Sequence, residues 1–251
     1  MNFPTPPKIF VTLPLLLAGV LSLPAVAPAD EFPLNKLQRN GSAILNNFGH
    51  ITLTTNLNEA GSAFIFKPYQ FGPTGKFFVS FVYHAQPYST SPPADGLALI
   101  VENTGSGPAY IGLAGSGLGF FTQTAIPAIA VTLDYYSNEI TGSPAGTLAI
   151  ASPAGVDLAQ IIPAIPVFGG SGNAGMRYVW VAYSNATNVM AIYYSDTSTR
   201  PATPTLEMTL PQDISSLCDG QIYLGFSGGT GALDSIQSLD FLGVDVSNDD
   251  Q

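Results

Sequence analysis

RYVWVAYSNATNVMAIYYS, residues 177–195, decides the fold class. Its halves RYVWVAYS (177–184) and NVMAIYYS (188–195) place apolar residues at every second position, the period of a β-strand rather than of a helix. The same alternation returns in FFVSFVYH (77–84) and SLDFLGVDV (238–246). Further runs at 51–54, 62–66, 96–102, 129–135, 146–151, 205–210 and 222–227 are separated by clusters of Gly, Pro, Asn and Ser. No long amphipathic helix is visible; a helical turn is expected only near 211–216. Many short strands with Gly- and Pro-rich turns predict an all-β chain, two antiparallel sheets packed face to face as a sandwich or jelly roll. Aromatic residues on alternate positions are expected to fill the space between the sheets.

Of the 251 residues, 46% are hydrophobic and only 10% are charged, so the chain can bury a sizeable core. Residues 30–251 hold no linker, charge run or repeat, which argues for one domain. Ahead of it, Lys8 precedes the apolar run IFVTLPLLLAGVLSL and then small residues, the pattern of a secretory signal over residues 1–29. Cleavage is expected after Ala27-Pro28-Ala29, with Ala25-Val26-Ala27 as the other candidate. The run is broken by Pro14 and falls short of the ~20 apolar residues a membrane span needs. The mature chain is therefore expected outside the cell, or in the periplasm of a bacterial host, with no membrane association after signal removal.

Loss of Lys8 with that segment takes the formal net charge from −10 to −11. The remaining cations, Lys36, Arg39, Lys67, Lys76, Arg177 and Arg200, are scattered. Nucleic acids and anionic membranes both require clustered Lys and Arg, so an uncharged partner fits better.

Cys218 is the only cysteine, which excludes an internal disulfide and a thiolate metal cluster within the chain. It reads as a small buried side chain. Gly170-Ser171-Gly172-Asn173-Ala174-Gly175 fits G-x-G-x-x-G, but a strand follows where a dinucleotide site needs a helix, so it reads as a glycine loop. Gly225-Phe226-Ser227-Gly228-Gly229 fits the G-x-S-x-G nucleophile elbow, yet His50 and His84 both precede it, whereas the base follows the serine in hydrolases of that kind. A strand end with a glycine turn explains these residues. The five glutamates, Glu31, Glu59, Glu102, Glu139 and Glu207, lie far apart, and no strand carries two carboxylates on one face as a glycosidase pair would need. The chain is not expected to be an enzyme. Asn40-Gly41-Ser42 and Asn185-Ala186-Thr187 are glycan acceptors in a host that glycosylates.

Seven segments remain: SAFIFKP (62–68), FFVSFVYH, ADGLALIVEN (94–103), GSGLGFF (115–121), IAVTLDYYSN (129–138), RYVWVAYSNATNVMAIYY (177–194) and IYLGFSGGTGAL (222–233). In this order they resemble the legume-type (L-type) lectin domain over nearly all of residues 32–246. The resemblance implies a concanavalin A-like antiparallel β-sandwich with a shallow sugar site at the loops of one face. It implies that Asp95, after a cis Ala94–Asp95 peptide, accepts hydrogen bonds from sugar hydroxyls. The turn Gly115-Ser116-Gly117 would donate a backbone N–H, and Asn138 its side-chain amide. Tyr136 would stack on the sugar or offer its carbonyl to calcium, while Ala232 and Leu233 would close the rim. These residue types suit the task, because sugar hydroxyls both donate and accept and an aromatic face covers the C–H patch of the ring.

The family pattern also carries metals in the loop after the strand ending at Asp134. Where it has E-x-D, an aspartate in D-P and a histidine in H-x-G-I, this chain has Thr132-Leu133-Asp134, Ser143-Pro144 and Thr147-Leu148-Ala149-Ile150. No transition metal is expected. Calcium takes six to eight oxygens, and Asp134, the Tyr136 carbonyl, Asn138 and Ser143 supply one formal charge, so a weak calcium site or none is expected. The resulting expectation is a secreted, non-enzymatic, carbohydrate-binding protein of low affinity, with a homodimer through sheet packing as its assembly. The other readings are a structural or adhesion domain that has lost the sugar site and, third, a glycoside hydrolase of the same sandwich.

Overall fold

The structure is a computed structural model and describes residues 31–87, 93–168 and 176–248. The signal segment 1–29 and the glycine loop 170–175 lie outside the described residues.

In chain order the strands are β1 (Leu37–Gly41), β2 (Ile44–Leu45), β3 (Ile51–Thr54), β4 (Ala60–Ile65), β5 (Tyr69–Gln70), β6 (Gly75–Pro87), β7 (Gly96–Glu102) and β8 (Ala128–Asp134). There follow β9 (Thr147–Ser152), β10 (Val156–Ile161), β11 (Met176–Ser184), β12 (Val189–Ser195), β13 (Leu206–Thr209), β14 (Gln221–Gly229) and β15 (Ser235–Asn248). One sheet has the order β1-β4-β14-β7-β8-β9-β10, with β5 paired to β14; the other has the order β13-β12-β11-β6-β15-β3-β2. The strand pairings are antiparallel, and the two sheets form the expected concanavalin A-like sandwich. The expected runs at 51–54 and 96–102 coincide with β3 and β7. The helical turn is α1 (Ile214–Leu217), where the Asp213 carboxylate accepts the Ser216 N–H at 2.9 Å. Among the described residues no helix is long and apolar enough to cross a membrane.

Between the sheets lies one core, in which Val79, Phe81 and Tyr83 of β6 meet Leu97, Leu99, Val131, Leu133, Leu224 and Phe226 of the facing sheet. Phe81 and Phe226 touch edge to face at 5.0 Å between ring centroids, a contact favoured by the ring quadrupoles.

The aromatic residues do not all lie between the sheets, as alternation predicts. Phe64, Phe120 and Phe121 join Ala98, Ile100, Tyr110, Leu118, Ala128, Ala130 and Ala151 in a second cluster on the outer face of the eight-stranded sheet. Both faces of β7 and β8 are consequently buried along their whole length. The segment between β7 and β8 supplies this cover, which explains why GLALIVE and AIAVTLD are nearly continuous apolar runs.

Candidate functional site

Register brings three chain segments to one end of the eight-stranded sheet. Gly96, the first residue of β7, pairs with Asp134 at the end of β8 and with Gly229 at the end of β14. The residues just before β7, after β8 and after β14 therefore emerge side by side. The Ala94–Asp95 peptide is cis, as the resemblance implies. The Asp95 backbone is held on both sides: its N–H donates to the Gly229 carbonyl at 2.9 Å, and its carbonyl accepts Tyr135 N–H at 2.8 Å and Tyr136 N–H at 3.2 Å. Behind it, Ser235 Oγ donates to the Ala94 carbonyl at 2.7 Å.

A hollow of about 380 Å³ opens here, lined by Asp95, Gly115, Ser116, Tyr136, Ala232 and Leu233 from the expected set. Ala94, Ala114, Ser137, Glu139 and Gly231 complete the lining and were not foreseen. Gly231 is visible in the GGTGAL segment, and Glu139 directly follows Asn138, so adjacency to the expected residues was their only signal. The glycine turn 115–117 reaches the hollow because β14 ends in Gly229: a Cβ there would stand 2.7 Å from the Gly115 carbonyl oxygen. The Gly115 N–H is committed to the Thr230 carbonyl and the Gly117 N–H to the Ala114 carbonyl, both at 3.0 Å. Gly117 itself is buried and does not line the hollow.

Asp95 is 9% exposed. Its carboxylate accepts the Gly231 N–H, while Oδ2 is buried with no hydrogen-bond partner. Burial, opposed by the Gly231 hydrogen bond and reinforced by the Glu139 charge, pushes the Asp95 carboxyl up to about 6.

Asn138 does not line the hollow. It is 1% exposed, its amide donates to Asp134 Oδ1 at 3.2 Å, and its Oδ1 accepts the N–H groups of Ile140 and Thr141 at 2.9 and 3.2 Å. Ser143 is likewise turned inward, its hydroxyl paired with Thr141 Oγ1 at 2.6 Å and donating to Asp157. The buried oxygens of this region that lack a partner are Thr132 Oγ1, Asp134 Oδ2 and Asp157 Oδ1. Asp157, on β10, is a residue the sequence did not single out. Among the described residues no three His, Cys, Asp or Glu side chains gather closely enough to hold a metal on their own.

Ser227 lies within β14, not at a strand-to-helix turn, and its hydroxyl donates to the Leu118 carbonyl at 2.8 Å. His84 sits on β6 in the other sheet, and His50 is 3.3 Å from Asp240. Neither is placed to activate Ser227.

The fold defines the class first. The lectin from Bauhinia forficata in complex with GalNAc superimposes with a TM-score of 0.72 at 17% identity, over 88% of this chain and 98% of that one. Arcelin-5, a lectin-like defence protein from Phaseolus vulgaris, does so with a TM-score of 0.70 at 16% identity, over 88% of this chain and 100% of that one. The chain belongs to the legume lectin domain family, whose model matches residues 30–248. The L-type lectin-domain containing receptor kinase VIII.2 of Arabidopsis thaliana is 29% identical over 94% of this chain, which spans only 35% of that relative.

Proposed function

We propose that the chain is a secreted, non-enzymatic domain that binds carbohydrate in the hollow beside Asp95. The observation that carries this is the Asp95 carboxylate: one buried oxygen without a partner, flanked by two glycines, in a hollow whose rim presents Tyr136 at 39% exposure. A carboxylate acceptor beside an exposed aromatic face matches a sugar's hydroxyls and C–H patch. In the glycine turn, Ser116 is the member left to offer a donor. The family and the Bauhinia lectin's GalNAc complex support the reading. A glycan array probed with the recombinant mature domain, followed by calorimetric titration of each hit, tests it. Saturable binding is expected; silence across the array would overturn it.

A second reading, a structural or adhesion domain that has lost the sugar site, is favoured by Asn138, whose amide is spent on Asp134 and does not reach the hollow. The hydrolase reading would rest on Asp95 and Glu139, the two carboxylates of the hollow. The proposal expects no hydrolysis of aryl glycosides. N-terminal sequencing of secreted protein tests cleavage after residue 29, and sedimentation tests a homodimer formed through the outer face of the seven-stranded sheet, where Tyr178, Trp180 and Phe241 border an apolar hollow.

A further inference from the structure

We propose that the saccharide taken by the hollow carries a free, protonated amine: a 2-amino-2-deoxyhexose residue, not its N-acetylated or purely hydroxylated counterpart. The inference rests on the reading of the hollow as a sugar site and names the class of sugar.

Charge is the first observation. Asp95 and Glu139 both line the hollow, and among the described residues no Lys, Arg or His does. Lys36 and Lys67 lie just outside the Leu37–Ile65 pair, at the end of the sheet away from Gly96 and Gly229. Arg200 lies over the rings of Phe78 and Tyr193 in the other sheet, and the Arg177 guanidinium is spent on the carbonyls of Pro166, Met176 and Phe168. Two carboxylates thus share one cavity with no protein cation in it. Asp95 is only 9% exposed and its Oδ2 has no hydrogen-bond partner. A carboxylate withdrawn from water in this way is costly until a positive group meets it.

Hydrogen-bond capacity is the second. Four donors around the hollow are committed within the protein: Gly115 N–H to the Thr230 carbonyl, Gly117 N–H to the Ala114 carbonyl, Gly231 N–H to the Asp95 carboxylate, and the Asn138 amide to Asp134. What the lining keeps for a ligand is weighted towards acceptors, with two carboxylates and the hydroxyls of Ser116 and Ser137. A sugar hydroxyl donates one hydrogen bond and accepts others. An ammonium donates three and accepts none, so it complements such a lining better.

The loop explains why an acid stands here. Asn138 is 1% exposed; its Oδ1 accepts the N–H groups of Ile140 and Thr141, and its amide is turned onto Asp134. This turn fixes the backbone around the next residue and leaves Glu139 exposed at the rim. A neutral amide donor is withdrawn from the hollow and a carboxylate is presented beside it, so the site favours a donor on the ligand over an acceptor.

The test uses the recombinant mature chain at pH 7, where a sugar amine, like an α-amino group with a pKa of about 8, is mostly protonated. Calorimetry compares glucosamine, galactosamine and mannosamine, each with its N-acetyl derivative and its parent hexose, and ethanolamine as an amine without a ring. For at least one configuration the free amine is expected to bind about tenfold tighter, or more, than both counterparts and than ethanolamine, the scale of one charge-assisted hydrogen bond. That margin should shrink severalfold as sodium chloride rises from about 0.05 to about 0.5 M. Glu139→Gln should cut it about two- to fivefold, as loss of an exposed ion pair does, and Glu139→Lys should remove it. Glu139 is exposed, so both variants are expected to fold, which circular dichroism checks. Parity of the amine, N-acetyl and hydroxyl forms, or an undiminished margin in folded Glu139→Lys, would overturn the amine and leave the sugar site standing. Ethanolamine binding as tightly as the amino sugar, or silence of every saccharide, would overturn the sugar site as well.

Discussion

Gly231 donates its backbone N–H to the Asp95 carboxylate, and a Cβ at Gly231 would stand 3.3 Å from Asp95 Oδ2. The glycine both orients the acid and leaves its second oxygen without a hydrogen-bond partner. Its φ lies outside the left-handed region, so Gly231→Ala is compatible with the backbone. The variant should melt within about 0.5 kcal/mol of the parent, as substitutions at surface positions usually do. Its affinity for any sugar ligand should fall several-fold, measured by titration of both proteins with the same glycan.

Asp95→Ala removes the acceptor itself. A hydrogen bond to a charged group contributes about 1.5–3 kcal/mol, so binding of low affinity should become undetectable. Calorimetry on a variant whose circular dichroism matches the parent checks this. Retained affinity in that folded variant would place the ligand elsewhere.

The same carboxyl sets a pH dependence. With Asp95 pushed up to about 6 in the folded chain, sugar hydroxyls that donate to it require the ionised form, so affinity should weaken as pH falls through about 6 and level off above 7. For stability the sign is opposite. A carboxyl whose folded pKa is raised stabilises the fold only at low pH, and that contribution is lost as pH rises from the unfolded value of about 4 through the folded value near 6. Titrating affinity and melting temperature over pH 4–8 should show the two curves running in opposite directions in this window.

Much of this arrangement was legible in the sequence, for identifiable reasons. Strands with an apolar face announce themselves by period, as RYVWVAYS does. Four did not: LQRNG (β1), IL (β2), YQ (β5) and VDLAQI (β10) are short or largely exposed edge segments with no apolar face to mark them. Because β10 was not read as a strand, Asp157 had no face assigned to it and no motif to recommend it. Asp95, Ser116 and Tyr136 could be placed only through the family resemblance, since their approach depends on the pairing of Gly96 with strands far away in the chain. The inward turn of Asn138 follows from loop hydrogen bonds that no spacing rule encodes.

Ser227 shows how a strand residue reaches the site indirectly. The sequence suggests a bystander at a strand end, but its hydroxyl anchors the carbonyl of Leu118, which follows the glycine turn and holds a left-handed φ of 54°. Ser227→Ala leaves that buried carbonyl without its donor and should cost about 1–3 kcal/mol in denaturant unfolding. Sugar affinity should fall less than in Asp95→Ala, through loosening of the turn alone.

Cys218 is fully buried, with its thiol pushed up to about 12 by burial and then by the charge of Glu102. The thiolate is the reactive form. The folded chain should therefore resist a thiol reagent at pH 8 and react with one equivalent once denatured, a difference read directly by absorbance.

The position of β6 has a consequence for how the chain is made. It lies between β11 and β15, and its Gly75 pairs with Asn248. The strand that carries Phe77, Phe81 and Tyr83 into the core thus waits, during synthesis, for a partner made more than half the chain later. Folds dominated by such distant pairings form slowly, in milliseconds to seconds, with apolar edges open meanwhile. A nascent chain halted before residue 235 should therefore be held by chaperones and cut by proteases, and become resistant only after β15 emerges.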